Sequence, residues 1–125
     1  DLKVREELLV EGHYTFDWGY EGIHQIFDQG LSFDSVFCGN DLIALGALKA
    51  INEHGFEVPK DFGIVGFDDI NMTMMIQPRL TTVHQPNYQM GYQAADMLIK
   101  IIEKKMISET NRILKSELII RESVK

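Results

Sequence analysis

The run Phe62-Gly63-Ile64-Val65-Gly66-Phe67 carries no charge, is rich in β-branched and aromatic residues, and stops at two carboxylates, Asp68 and Asp69. The turn Val58-Pro59-Lys60-Asp61 precedes it. A short apolar run bounded in this way predicts a strand covered on both faces, as in a parallel sheet between helices. Such sheets collect ligands in the crevice beyond the carboxyl ends of their strands. Asp68 and Asp69 fall at that edge, so the question becomes which other residues arrive there.

The flanking segments alternate in type. Leu2, Val4, Leu8 and Val10 stand among charged neighbours, which predicts a half-exposed strand over residues 2–10, ending near Gly12. Residues 13–18 (His-Tyr-Thr-Phe-Asp-Trp) predict a loop, and Tyr20, Ile23, Ile26 and Phe27 a helix over 19–29, with Gly30 as a left-handed cap. Phe33 to Cys38 predicts a short strand. Asn40 opens the clearest helix: it caps free backbone N–H groups, Leu42, Leu45, Leu48 and Ile51 form the buried stripe, and Gly55 ends it. Residues 70–77 predict one or two methionine-rich helical turns, and Leu80 to His84 a strand. A long helix then starts at Asn87, its apolar face formed by Met90, Ala94, Met97, Leu98, Ile101 and Ile102, and residues 112–121 close the chain as β structure. The alternation indicates an α/β fold, a mainly parallel sheet flanked by helices.

Composition removes several functions. The 125 residues suit one domain, and twelve basic against nineteen acidic residues give a net charge of −7. So acidic a chain does not bind DNA by neutralising phosphates. Cys38 has no partner for an internal disulfide, no apolar run approaches the ~18 residues of a membrane span, and no signal peptide opens the chain. These features predict a cytoplasmic protein with no membrane association. The four histidines lack metal-ligand spacing, and no phosphate loop, nucleophile elbow or G-x-G-x-x-G motif is present. Neither a metal, a cofactor nor a catalytic residue is expected.

If the strands run parallel, one edge receives Tyr14 with Asp17, Asn40 with Asp41, Asp68 with Asp69, and Gln85. Carboxylates and amides interleaved with aromatics suit a polyhydroxylated ligand, because acceptors meet hydroxyl pairs and an aromatic face covers a sugar ring. Each residue also has a plainer role: Asn40 and Asp41 as a helix cap, Asp68-Asp69 as a solvated turn, Tyr14, Phe16 and Trp18 as core cover.

Several blocks together resemble the LacI/GalR family of bacterial transcriptional repressors, in the C-terminal part of their effector-binding core. They are Val36-Phe-Cys-Gly-Asn-Asp-Leu-Ile-Ala-Leu-Gly-Ala47, Gly55 to Ile70, Pro78-Arg-Leu-Thr-Thr-Val-His-Gln-Pro86, Met90-Gly91 and Leu118 to Ser123. The resemblance implies a periplasmic-binding-protein-like type I architecture, two α/β subdomains with the effector between them, here incomplete and C-terminal only. Residues 1–85 would be the partial C-terminal subdomain. Residues 86–125 would be a crossover helix and terminal strands that in relatives belong mostly to the N-terminal subdomain. Asn40 and Asp68 would contact the effector, Tyr14 would line the cleft and Gln85 would lie in the crossover. The implied partners are a sugar-like small molecule, a second copy through the helix after Asn40-Asp41 and the segment 70–78, and operator DNA only through an N-terminal domain absent from this sequence. The function expected is effector sensing and dimerisation for a transcriptional regulator, without catalysis. Two rivals are a transport sugar-binding protein of the same fold and a magnesium-dependent phosphoryl-transfer enzyme using Asp68 and Asp69.

Overall fold

The computed structural model describes residues 5–105 and 110–125. Its helices are α1 (Phe16–Asp28), α2 (Asp41–Glu53) and α3 (Asn87–Ile102). Its strands are β1 (Ser35–Phe37), β2 (Gly63–Asp68), β3 (Thr81–His84) and β4 (Glu117–Ile119), with short 3-10 turns at Glu6–Leu8 and Asn71–Met74. The four strands form one sheet in the order β1-β2-β3-β4. β1, β2 and β3 run parallel, with Phe37 opposite Val65, Val65 opposite Thr81 and Asp68 opposite His84. β4 joins antiparallel to β3, Leu118 facing Val83.

Two expectations need correcting. Residues 2–4 of the first predicted strand lie outside the described residues; residues 5–8 turn, and the extended stretch that follows meets no strand, so it has no ladder to join. The helix predicted from Gly19 begins at Phe16, because the Thr15 side chain accepts the Trp18 N–H at 3.3 Å and caps it. Residues 86–125 divide between α3 and the terminal strand β4. β4 lies in the same sheet as β1–β3, and the buried Ser123 hydroxyl donates to Ile64 O at 2.6 Å and accepts from Thr81 N–H at 2.8 Å.

The core lies between the sheet and the α1–α2 pair, around Ile23, Cys38, Ala47, Ile51, Ile64 and Leu80. Only this face of β2 is fully closed: Ile64 and Gly66 are buried, while Val65 and Phe67 on the other face stay partly open. The predicted two-sided cover is thus half met. Phe27, Phe33, Phe56 and Phe62 cluster with ring centroids 4.7–5.8 Å apart and seal the amino ends of the strands, opposite the candidate site. The apolar face of α3 forms as expected, but the helix has no buried residue, and Leu98, Ile99, Ile101 and Ile102 are exposed.

α1 and α2 approach closely enough to require glycine at their crossing. A Cβ on Gly19 would sit 2.0 Å from Ile43 O, and one on Gly46 2.0 Å from Phe16 O, both against rigid backbone. Gly46→Ala therefore forces the helices apart and is expected to lower stability by about 1–3 kcal/mol. Urea unfolding followed by circular dichroism measures this; an unchanged midpoint would show that the crossing is slack.

Candidate functional site

β1, β2 and β3 are parallel and in register, so the residues that follow them emerge at one edge of the sheet. Asn40 closes the loop after β1. Its side-chain oxygen accepts the Ile43 N–H at 2.9 Å, capping α2, and its amide donates to Tyr14 O at 3.2 Å. Cap and candidate contact residue are thus one side chain. Tyr14 is exposed and borders, with Trp18 and Gly39, a cavity of about 410 Å³. At the ends of β2 and β3, Gln85 Nε2 donates to Asp68 Oδ1 at 2.6 Å.

The structure therefore brings the candidates together as two bonded pairs, Asn40 with Tyr14 and Asp68 with Gln85. Asp17 joins neither; it is exposed in the first turn of α1, where a carboxylate suits the positive end of the helix dipole. Asp41 departs from its expected place at the ligand. It is 1% exposed, its Oδ1 accepting from Thr82 Oγ1 at 2.6 Å and its Oδ2 from Ile70 N–H at 2.9 Å. Burial pushes its carboxyl up, the charges of Asp68 and Asp69 add to this, and its two hydrogen bonds oppose it.

Asp68 (φ 112°) and Asp69 (φ 55°) both occupy backbone regions that L-residues rarely adopt. The surrounding bonds hold them there: Asp69 N–H donates to Thr82 Oγ1 at 3.3 Å, next to the bond from Ile70 N–H to Asp41. Asp69 turns inward. Its Oδ1 pairs with Arg121 Nη2 at 2.6 Å and its Oδ2 with His84 Nδ1 at 2.9 Å. Burial raises its carboxyl, but the bonds and charges of Arg121 and His84 outweigh that and hold it below the usual carboxylate range. Arg121 Nη1 also donates to Thr73 Oγ1 and Leu80 O, each at 2.9 Å. Sequence reasoning passed over Arg121, Thr82 and His84 as functional groups. The available signal was a single arginine directly after the apolar run Leu118-Ile119-Ile120.

Chemically, this edge offers the partly buried Asp68 carboxylate, two side-chain amides and an exposed phenol, all of which bond hydroxyl groups well. Cys38 behind it is inert, since burial, reinforced by the Asp41 charge, pushes its thiol up to about 12. Among the described residues, no group of three or more His, Cys, Asp or Glu is placed to hold a metal ion, and no helix is long and apolar enough to cross a membrane.

Residues 6–124 match the family described as periplasmic binding protein-like domain. The HTH-type transcriptional regulator RegA of Clostridium saccharobutylicum is 43% identical over 122 residues, 98% of this chain and 37% of that protein. The HTH-type transcriptional repressor PurR of Pectobacterium carotovorum is 40% identical over 105 residues, 84% of this chain and 31% of that protein. The chain thus spans about a third of the length of these relatives. In structure it is similar to the transcriptional regulator CelR in its cellobiose complex, with TM-score 0.92, 31% identity and coverage of 98% of this chain and 37% of that one. It is also similar to the lac repressor dimer bound to operator and an anti-inducer, with TM-score 0.85, 29% identity and coverage of 91% and 40%.

The Asp69 ion pairs carry a pH dependence of known sign. Its folded carboxyl titrates below its unfolded value near 3.9, so this contribution is present above that value and is lost as pH falls through the folded one. Asp69→Asn is expected to flatten the acid limb of stability below about pH 4 while lowering stability at neutral pH. Thermal melts from pH 2.5 to 7 check this; parallel curves for the two proteins would remove Asp69 from the acid response.

Proposed function

Because this chain belongs to the periplasmic binding protein-like domain family, in its LacI-type branch of transcriptional regulators, we propose that its strand-end groups form one wall of an effector cleft. The observation that carries the reading is the Asp68–Gln85 pair at 2.6 Å, presented from strained backbone at the carboxyl ends of adjacent parallel strands. Asp68 accepts from hydroxyl pairs of a sugar-like molecule, Asn40 and Gln85 serve as donor or acceptor, and Tyr14 covers a ring face. Solved relatives in complex with cellobiose and with bound ribose support a sugar-like effector. In the whole regulator, effector would bridge two subdomains and bias their closure, and so the spacing of paired DNA-binding heads in the cytoplasm. Couplings of this kind are typically about 1–3 kcal/mol. α3 would carry its apolar face to the second subdomain.

The magnesium reading loses its second carboxylate, since Asp69 is already committed to Arg121 and His84. The relatives named above are regulators of transcription, not transport proteins or enzymes.

The test uses the whole regulator. A thermal-shift screen of mono- and disaccharides, cellobiose and ribose among them, selects the ligand, and calorimetry compares variants. Asp68→Ala is expected to weaken binding by about 1.5–3 kcal/mol, the scale of a charge-assisted hydrogen bond. An unchanged affinity would remove Asp68 from the cleft.

The same reading includes a homodimer. Its support is an open surface lined by Phe16, Met72 and Ile76 over the buried Leu45 and Leu48 and bordered by Lys49, Asn52, Glu53 and Gln77, with the neighbouring Met75 79% exposed. Exposed methionines such as Met72, Met74 and Met75 pack adaptably against a partner. Light scattering on the 125-residue chain should give twice 14.3 kDa, and Met72→Glu with Met75→Glu should return the single mass. A wild-type chain that stays monomeric at high concentration would end this part of the reading.

A further inference from the structure

α1 and α2 each bring a histidine to the same point. His24 lies in the middle of α1 and His54 directly follows the end of α2, with Nδ1 of the first 2.9 Å from Nε2 of the second. Their ring centroids are 4.7 Å apart and the planes tilt by 49°. Collinear rings with this contact would hold their centroids farther apart, so the two nitrogens approach at an angle. His54 is exposed and His24 half-buried, which leaves the junction open to solvent.

The far side of His24 decides where its proton sits. Its Nε2 is buried, has no hydrogen-bond partner, and faces Glu53 Oε2 at 3.7 Å. The Tyr20 hydroxyl donates to that same oxygen, and Lys49 Nζ stands 3.2 Å from the other one. Those bonds hold the Glu53 carboxyl below the usual carboxylate range, so it is an anion at neutral pH. A bare nitrogen lone pair set against a carboxylate is repulsive, so the His24 proton belongs on Nε2. The Nδ1 lone pair then points at His54. Metal-ligating histidines are prepared in this way, one ring nitrogen turned to a carboxylate and the other offering its lone pair.

Two nitrogens bound to one ion at about 2.0–2.1 Å, at right to tetrahedral angles, stand ~2.8–3.4 Å apart. The 2.9 Å separation falls in that range. We propose that His24 and His54 form a surface site for a late first-row divalent cation (zinc, nickel or copper) that clamps α1 to α2. Imidazole suits these ions, whereas magnesium and calcium prefer oxygen. Two protein ligands leave the remaining positions to water; a cage of three or more His, Cys, Asp or Glu does not form among the described residues. Glu21 and Asp28 line the groove beside His24 and add negative charge at its mouth. The His54 ring packs on Phe27, with centroids 4.3 Å apart, in the cluster that seals the amino ends of the strands. The site lies away from Asp68 and Gln85, and the proposal does not depend on what the effector cleft binds.

The experiment titrates zinc, and nickel in a second series, into the 125-residue chain without an affinity tag. Calorimetry is expected to give one equivalent of either ion and none of magnesium. In NMR spectra the ring signals of His24 and His54 should move with zinc while those of His13 and His84 stay. His54→Gln removes an exposed ligand and should weaken zinc binding by about tenfold or more. Glu53→Gln keeps both ligands and should weaken it about tenfold. Taking the buffer from about pH 8 to about pH 5 should abolish uptake, because an imidazolium has no lone pair to give. Zinc should raise the melting temperature of the wild-type chain and leave that of His54→Gln unchanged. Circular dichroism reports whether each variant folds; if one does not, the wild-type NMR titration decides alone. No uptake at millimolar zinc, uptake that survives His54→Gln at full strength, or shifts confined to His13 and His84 would each overturn the proposal.

Discussion

The carboxylate of Asp41 is buried where α2, β2 and β3 converge, accepting from the Thr82 hydroxyl and the Ile70 amide. Burying a carboxylate is costly unless its oxygens are paired, and here both are. Its position in the first turn of α2 adds the favourable end of the helix dipole. The arrangement reaches into the sheet as well. A Cβ on Gly66 would lie 2.2 Å from Asp41 Oδ1, so β2 must carry glycine at the point where the carboxylate crosses it. Asp68 and Asp69 stand between Gly66 and Ile70, and their rare backbone angles persist because the surrounding amides are already bound. The rare backbone at Asp68 and Asp69 is therefore tied to the inward burial of Asp41.

The chain's last residues supply the second set of ties. Ser123 bridges β2 and β3 near their amino ends through Ile64 O and Thr81 N–H. Glu122 takes Arg79 in a paired ion contact, and Arg121 reaches across to Asp69 beside the candidate site. Each bond joins residues about forty or more positions apart, so together they close long loops. Ser123 and Asp41 thus hold β3 through the neighbouring residues Thr81 and Thr82, and tie it to Ile64 of β2 and to the Ile70 amide beyond β2.

Much of the fold was legible locally. The Asn40 cap, the Gly55 stop and the β-branched run at 81–84 each appear where their residue chemistry requires. The parallel order of three strands followed from alternation with helices. What local pattern could not supply was the partner. The stretch after Leu8 has alternating chemistry but meets no strand, and residues 117–119 have strand chemistry that says nothing of which sheet receives them. Thr15 was hidden because its aromatic neighbours suggest a loop while its hydroxyl serves as a cap. Asn40, Asp68 and Gln85 could be assigned to one sheet edge because they end or follow β1, β2 and β3, whereas Tyr14 follows no strand. Asp41 was misplaced because sequence gives the order of two neighbouring side chains and not which of them the helix turns inward.

The partial cover of β2 carries the last physical lesson. Phe62 to Phe67 is patterned for burial on two faces, yet the α1–α2 pair closes only one. The shortfall falls on Val65 and Phe67, and it continues across the sheet to Phe37, which is 69% exposed, and to Leu118. α3 repeats the pattern with an apolar face and no buried residue. Scattered exposed hydrophobics are ordinary on any protein surface. Here they line up along the sheet's second face and one helix, and contiguous apolar surface of that kind marks contact with another element. A strand this apolar is costly to leave half wet, so this face of the sheet is where added cover would stabilise the fold most.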